Sequence, residues 1–138
     1  MTQPRQLEIL KENLEHVMAS VPWPNVKSAR TQKVGEEYAR RTSGKGMDET
    51  SFSYDGIQVI ADTFERARST DSDALVDALR KTNLGEPIML SAGPIRFSES
   101  GENVNATTAM VQILKNKPLV VWPKESAQAA PVFPRPKV

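Results

Sequence analysis

Apolar positions follow a helical period through the first two thirds of this 138-residue chain and a strand-like alternation through the last third. Leu7, Leu10 and Leu14 mark a helix over 5–14, and the largely apolar run 16–21 predicts a short strand stopped by Pro22. No proline occurs between 25 and 86, so the long helices are expected there. Three are predicted. The first, about 27–42, has a narrow buried stripe of Val34 and Tyr38 and a wet, basic opposite face. The second, 49–68, carries Phe52 and then Ile57, Ile60, Ala61, Phe64 and Ala67 at spacings of three and four, which points that face at the core. Asp55, Asp62, Glu65, Arg66 and Arg68 then take the solvent side. The third, about 71–82, buries Leu75, Val76 and Leu79 and starts at a cap drawn from Ser69, Thr70 and Asp71.

After Gly85 the period changes. Ile88, Met89 and Leu90 form a short apolar run, and residues 93–97 alternate as a half-buried strand does. Strands are also predicted over 104–114 and 119–122, and the Lys115, Asn116, Lys117, Pro118 interval suits a hairpin between them. Residues 131–138, with prolines at 131, 134 and 136, read as an extended tail beyond a domain covering 1–130. Three main helices followed by strands and a hairpin make the expected class α/β.

Composition removes several chemistries. With no cysteine there is no disulfide scaffold, Cys-based zinc site or thiol nucleophile. Eighteen basic against seventeen acidic residues give a net charge of +1, too near neutral for a nucleic-acid-binding field. The six basic groups of 27–45 lack interleaved aromatic residues for base stacking, so no nucleic-acid partner is expected. The single histidine, His16, sits in the predicted first strand with no second ligand near it, and reads as structural. No glycine-flanked serine resembles a nucleophile elbow. Asp55 with Asp62, and Asp73 with Asp77, share helical faces and read as solvated surface rather than acid/base pairs. We expect no enzyme activity, metal or cofactor.

The order of segments carries what composition does not. Val21-Pro22-Trp23-Pro24 precedes a basic helix through Tyr38, then Ser53-Tyr54-Asp55-Gly56 opens an amphipathic helix. Arg66-Ala67-Arg68-Ser69-Thr70-Asp71 leads into the next helix, followed by Gly93-Pro94-Ile95-Arg96-Phe97, a Gly101 turn and Val120-Val121-Trp122-Pro123. In this order the chain, from about residue 16 to 136, resembles the carboxyl-terminal part of the branched-chain amino-acid binding proteins. These are the type I periplasmic solute-binding components of ABC importers. The resemblance implies part of a fold with two α/β lobes, crossing strands between them, and an amino acid in the cleft. The implied partners are an amino acid or similar small polar solute and, in full-length relatives, an ABC permease. The implied ligand contacts lie on the loop before the second main helix, at Glu49, Thr50 and Ser51. Pro22, Trp23 and Trp122 fall where the family's lobes are hinged. The resemblance implies a periplasmic location, whereas the charged residues among positions 1–14, with no signal sequence, predict a cytoplasmic chain. It leaves out most of a cleft, so amino-acid binding by the chain alone is expected to be weak or absent. A different class, a small cytosolic interaction or oligomerising protein that reuses the scaffold, is the alternative.

Overall fold

The computed structural model describes residue 2 and residues 4–136, the side chains of Pro4 and Glu49 excepted. The chain is a mixture of helix and antiparallel sheet. Helix α1 (Pro4–Leu10) runs into a 3-10 turn (Lys11–Leu14), followed by strand β1 (Met18–Val21). Helices α2 (Ala29–Arg41), α3 (Phe52–Ala67) and α4 (Ser72–Arg80) come next, with a 3-10 turn (Glu49–Ser51) opening α3. Strands β2 (Ala109–Leu114) and β3 (Lys117–Trp122) complete a sheet of order β1-β2-β3. Among the described residues no helix is long and apolar enough to cross a membrane.

Local chemistry sets the helix ends close to their predicted places. Ser28 caps α2 by accepting from the Thr31 amide, and Asp71 caps α4 by accepting from the amides of Asp73 and Ala74 at 3.1 Å. Arg68 ends α3 in the left-handed conformation, its amide donating back to the Phe64 carbonyl. The β2–β3 hairpin turns on two residues only, Lys115 and Asn116, both at positive φ, which matches the twist of the flanking strands. The predicted four-residue interval is therefore too wide. Pro118 enters β3 opposite Ile113, where an edge strand tolerates a missing donor. Gln128 covers that edge: its amide donates to the Val120 carbonyl at 2.7 Å, and its side-chain oxygen accepts from the Val120 amide at 3.1 Å.

Tyr38 and Val76, expected in buried stripes, are instead 42% and 44% exposed, and three further expectations need correction. The predicted first strand begins at Met18, because His16 is a turn residue at φ +67° rather than a strand residue. Residues 93–97 form no regular strand. Ile95 bridges Leu84 and Phe97 bridges Asn103, so no partner runs alongside for two residues in succession. Asn105 organises this segment instead, its amide group donating to the Pro94 carbonyl at 2.7 Å and its carbonyl accepting from the Ala92 amide at 2.9 Å. The absence of a Cβ at Gly93 admits the Asn105 side chain, which would lie 3.2 Å from one. For the same reason the strand predicted over 104–114 is regular only from Ala109. The third correction concerns α3 and is the most consequential. Asp55, Val59 and Thr63 form its buried face, while Phe52, Ile57, Ile60 and Phe64 are exposed at 58, 61, 52 and 45%.

The core lies against the sheet, where the chain leaves and re-enters it. Chain leaves the sheet through Pro22, Trp23 and Pro24 and returns through residues 106–108, with Val21 paired to Ala109 at the sheet's end. Trp23 is buried among Leu90, Ala109, Val111 and Val120, with Val21 packed against them. The tail is held at one point. The fully buried side chain of Gln112 donates to the carbonyls of His16 and Val132 and accepts from the Val132 amide at 2.9 Å. Residues 137 and 138 of the predicted tail lie outside the described residues.

Candidate functional site

The segment Ile88, Met89, Leu90 is the junction on which the site is built. Its apolar side chains are those the sequence marks as a short buried run, and burial leaves its backbone groups in need of partners. The Leu90 amide donates to the Trp23 carbonyl at 2.8 Å, and the Ile88 carbonyl accepts from the Asn25 amide at 2.8 Å. That carbonyl also accepts from the Thr31 hydroxyl on α2 at 3.0 Å. The remaining amides of Ile88 and Met89 donate to the two carboxylate oxygens of Asp55, at 3.0 and 3.1 Å. Asp55 sits in the first turn of α3, where the helix dipole favours a negative charge. One carboxylate thus joins α3 to the crossing, and the prediction that Asp55 faces solvent is overturned by these two hydrogen bonds.

A groove of about 630 Å³ opens over this junction. One wall is α3, with Phe52, Asp55, Gly56 and Val59. The lining continues with Met89, Leu90, Ser91 and Ile95 and with Thr107, Thr108, Pro22 and Trp122. Thr108 shares a hydroxyl–hydroxyl hydrogen bond of 3.0 Å with Ser20, fixing the returning chain against β1. Trp122 is 61% exposed, so its ring stands at the groove mouth. This lining is mostly apolar and aromatic and includes three hydroxyl residues, of which Ser91 bonds the Gly93 and Asn105 carbonyls and Thr108 bonds Ser20, and it suits the apolar body of a small molecule.

The residues singled out from the sequence are divided by the structure. Pro22 and Trp122 meet in the groove, and Trp23 lies behind it in the core. Thr50 and Ser51 do not line it. Both the amide and the hydroxyl of Thr50 donate to Asp48 Oδ1, at 2.9 and 2.6 Å, and the Ser51 amide donates to the Asp48 carbonyl, so these residues build the turn that starts α3. The side chain of Glu49 lies outside the described residues. Phe52, the first residue of α3 and next after Ser51, does line the groove. Phe52, Met89, Thr107 and Thr108 carried no signal that separates them from ordinary core or loop residues. Asp55 carried a weak one, as an acid in the first turn of a helix beside an apolar stripe.

Two carboxylates elsewhere have lowered pKa values, and both serve structure. Glu15 accepts from the Lys115 amide at 2.8 Å and the Asn116 amide at 3.2 Å, and these bonds hold its carboxyl below the usual range. Glu37, in the last turns of α2, is lowered to about 2 by hydrogen bonds from Arg40 and Arg41. Among the described residues no group of three or more His, Cys, Asp or Glu side chains is placed to hold a metal. No family model and no curated protein matches the sequence.

Proposed function

We propose that this chain is a solute-binding component of an amino-acid ABC import system, or a shortened form of one, related to the type I periplasmic binding proteins. In this reading the groove is one wall of an amino-acid cleft, and the chain alone holds its ligand weakly. One observation carries it: the groove lies at the place where the chain crosses between its sheet and helical portions, which is where a two-lobed binding protein keeps its ligand. Phe52 and Trp122 would contact an aliphatic side chain, and the Ser91, Thr107 and Thr108 hydroxyls would meet polar ends. With a single wall, a bound amino acid keeps much of its surface in water, whereas a typical pocket covers roughly 70–90% of its ligand. Calorimetric titration with leucine, isoleucine and valine tests this. The expected dissociation constants exceed about 1 mM; micromolar binding by the chain would contradict the single-wall reading.

A second reading, a small interaction or oligomerising protein on the same scaffold, is favoured by the outward apolar face of α3.

A further inference from the structure

Helix α3 has one face that the chain covers and a second, apolar face that it leaves open. Asp55, Val59 and Thr63 turn inward, while Ile57, Ile60 and Phe64, spaced by three and four, form a stripe on a different side that stays exposed. A contiguous exposed apolar stripe on a helix already buried on another side marks a surface that packs against a partner. Resting on the second reading above, we propose that a second copy of this chain covers the stripe, through antiparallel packing of α3 on α3 about a two-fold axis.

The amount of surface fits one such contact. Taking roughly 150–250 Å² for a fully exposed aromatic ring, and somewhat less for isoleucine, the exposed fractions of Ile57, Ile60 and Phe64, with Tyr54 beside them, amount to about 350 Å². A standard interface buries about 800 Å² per partner, of which about 450–520 Å² is apolar, so the stripe supplies most of the apolar surface that a dimer needs.

Charge also selects a copy over a partner of opposite sign. The chain carries a net charge of +1. Asp62 is paired with Arg66 on the side of α3 toward α4, and on α4 Asp77 is paired with Arg80, so the charges flanking the stripe are Glu65 and Arg68, of opposite sign. An isologous contact presents the same patch from both sides, so net charge of one sign beside the stripe would repel, whereas Glu65 and Arg68 balance.

Shape completes the argument. An antiparallel register that sets Ile57 of one copy against Ile60 of the other places each Phe64 over Ser53 and Gly56 of the opposite helix. A Cβ at Gly56 would meet nothing within 4 Å, and Ser53 is small and exposed, so the two leave a hole for the ring.

Sedimentation equilibrium on the wild-type chain and on Ile60→Glu tests the proposal. The wild type should give a reversible monomer–dimer equilibrium, and Ile60→Glu, which buries two carboxylates at the contact, should weaken it about 100-fold or more. Circular dichroism should be unchanged, because Ile60 is exposed in the single chain. A wild-type chain monomeric at hundreds of micromolar, open-ended association, or an Ile60→Glu dimer of undiminished affinity would each overturn it. The cysteine-free sequence allows a second measurement that does not depend on that variant. A short bismaleimide should link Ile60→Cys into dimers far faster than Val104→Cys, an exposed site off α3. Equal linking of the two would contradict the register. Amino-acid titration reads neither result, so the solute-binding reading stands or falls separately.

Discussion

The sheet portion and the helical portion of this chain treat their buried surfaces in opposite ways. Around the sheet, polar side chains close what the strands leave open: Gln128 pairs the free edge at Val120, Gln112 ties the tail to the sheet, and Glu15 accepts from the hairpin turn. Around the helices, one carboxylate closes the inner side of α3, while the outer side presents Ile57, Ile60 and Phe64 to solvent. The sheet portion is finished by its own sequence. The helical portion is finished only on the side facing the crossing, and the groove opens along the boundary between the two.

The contrast is broken most forcefully at the crossing itself. Trp23→Ala should cost about 3–5 kcal/mol in denaturant unfolding, because the ring fills the core between the sheet and Leu90. A loss below about 1 kcal/mol would mean that the ring is not what holds Leu90 against the sheet. Asp55→Ala should come next, at about 2–4 kcal/mol, since it leaves the Ile88 and Met89 amides without their acceptor. Asp55→Asn keeps one acceptor oxygen and should lose less. If both variants unfold like the wild type, the closure of α3 on the crossing is not what holds the helical portion. Gln112→Ala should cost about 2 kcal/mol and release the Val132 amide to solvent exchange. Protection that persists would show the tail to be held by something other than this side chain.

On the open side the expected effects are small. Ile57→Ser should change the unfolding free energy of the monomer by no more than about 0.5 kcal/mol, because the side chain is already exposed. A loss of several kcal/mol would place Ile57 in the core, as its spacing alone predicts. The smallest effect is set by pH. The lowered pKa values of Glu15 and Glu37 mean that each favours the folded state above the ordinary carboxylate range. The contribution fades as acid is added through that range, and for Glu37 it is gone once the pH falls below about 2. Carbon-detected titration of Glu37 should show a midpoint near that value, and an ordinary glutamate midpoint would remove the ion pairs from α2.

Helices and hairpin were legible because their determinants are local. Caps such as Asp71, the αL stop at Arg68 and the turn at Lys115 and Asn116 act within a few residues. The orientation of α3 was not legible, because periodicity reveals that a helix has an apolar stripe but not whether the chain contains anything to cover it. The reason Asp55 is buried lies more than thirty residues away, in two backbone amides that need an acceptor. The 93–97 alternation failed for a related reason: a strand needs a neighbour running alongside it, and only single bridges are formed there. Of the predicted site, Pro22 and Trp122 line the groove, whereas Thr50 and Ser51 serve the turn beside it. Phe52 was hidden among other apolar residues of the same period.

The claim that the groove is one wall of an amino-acid site is tested most directly by amide chemical-shift mapping with leucine, isoleucine and valine on the isotope-labelled chain. Shifts should saturate only in the millimolar range and concentrate on Phe52, Gly56, Ser91, Thr107 and Thr108. No shift at about 50 mM, where a millimolar site would be nearly full, or shifts centred on the hairpin turn at Lys115 and Asn116, would contradict it.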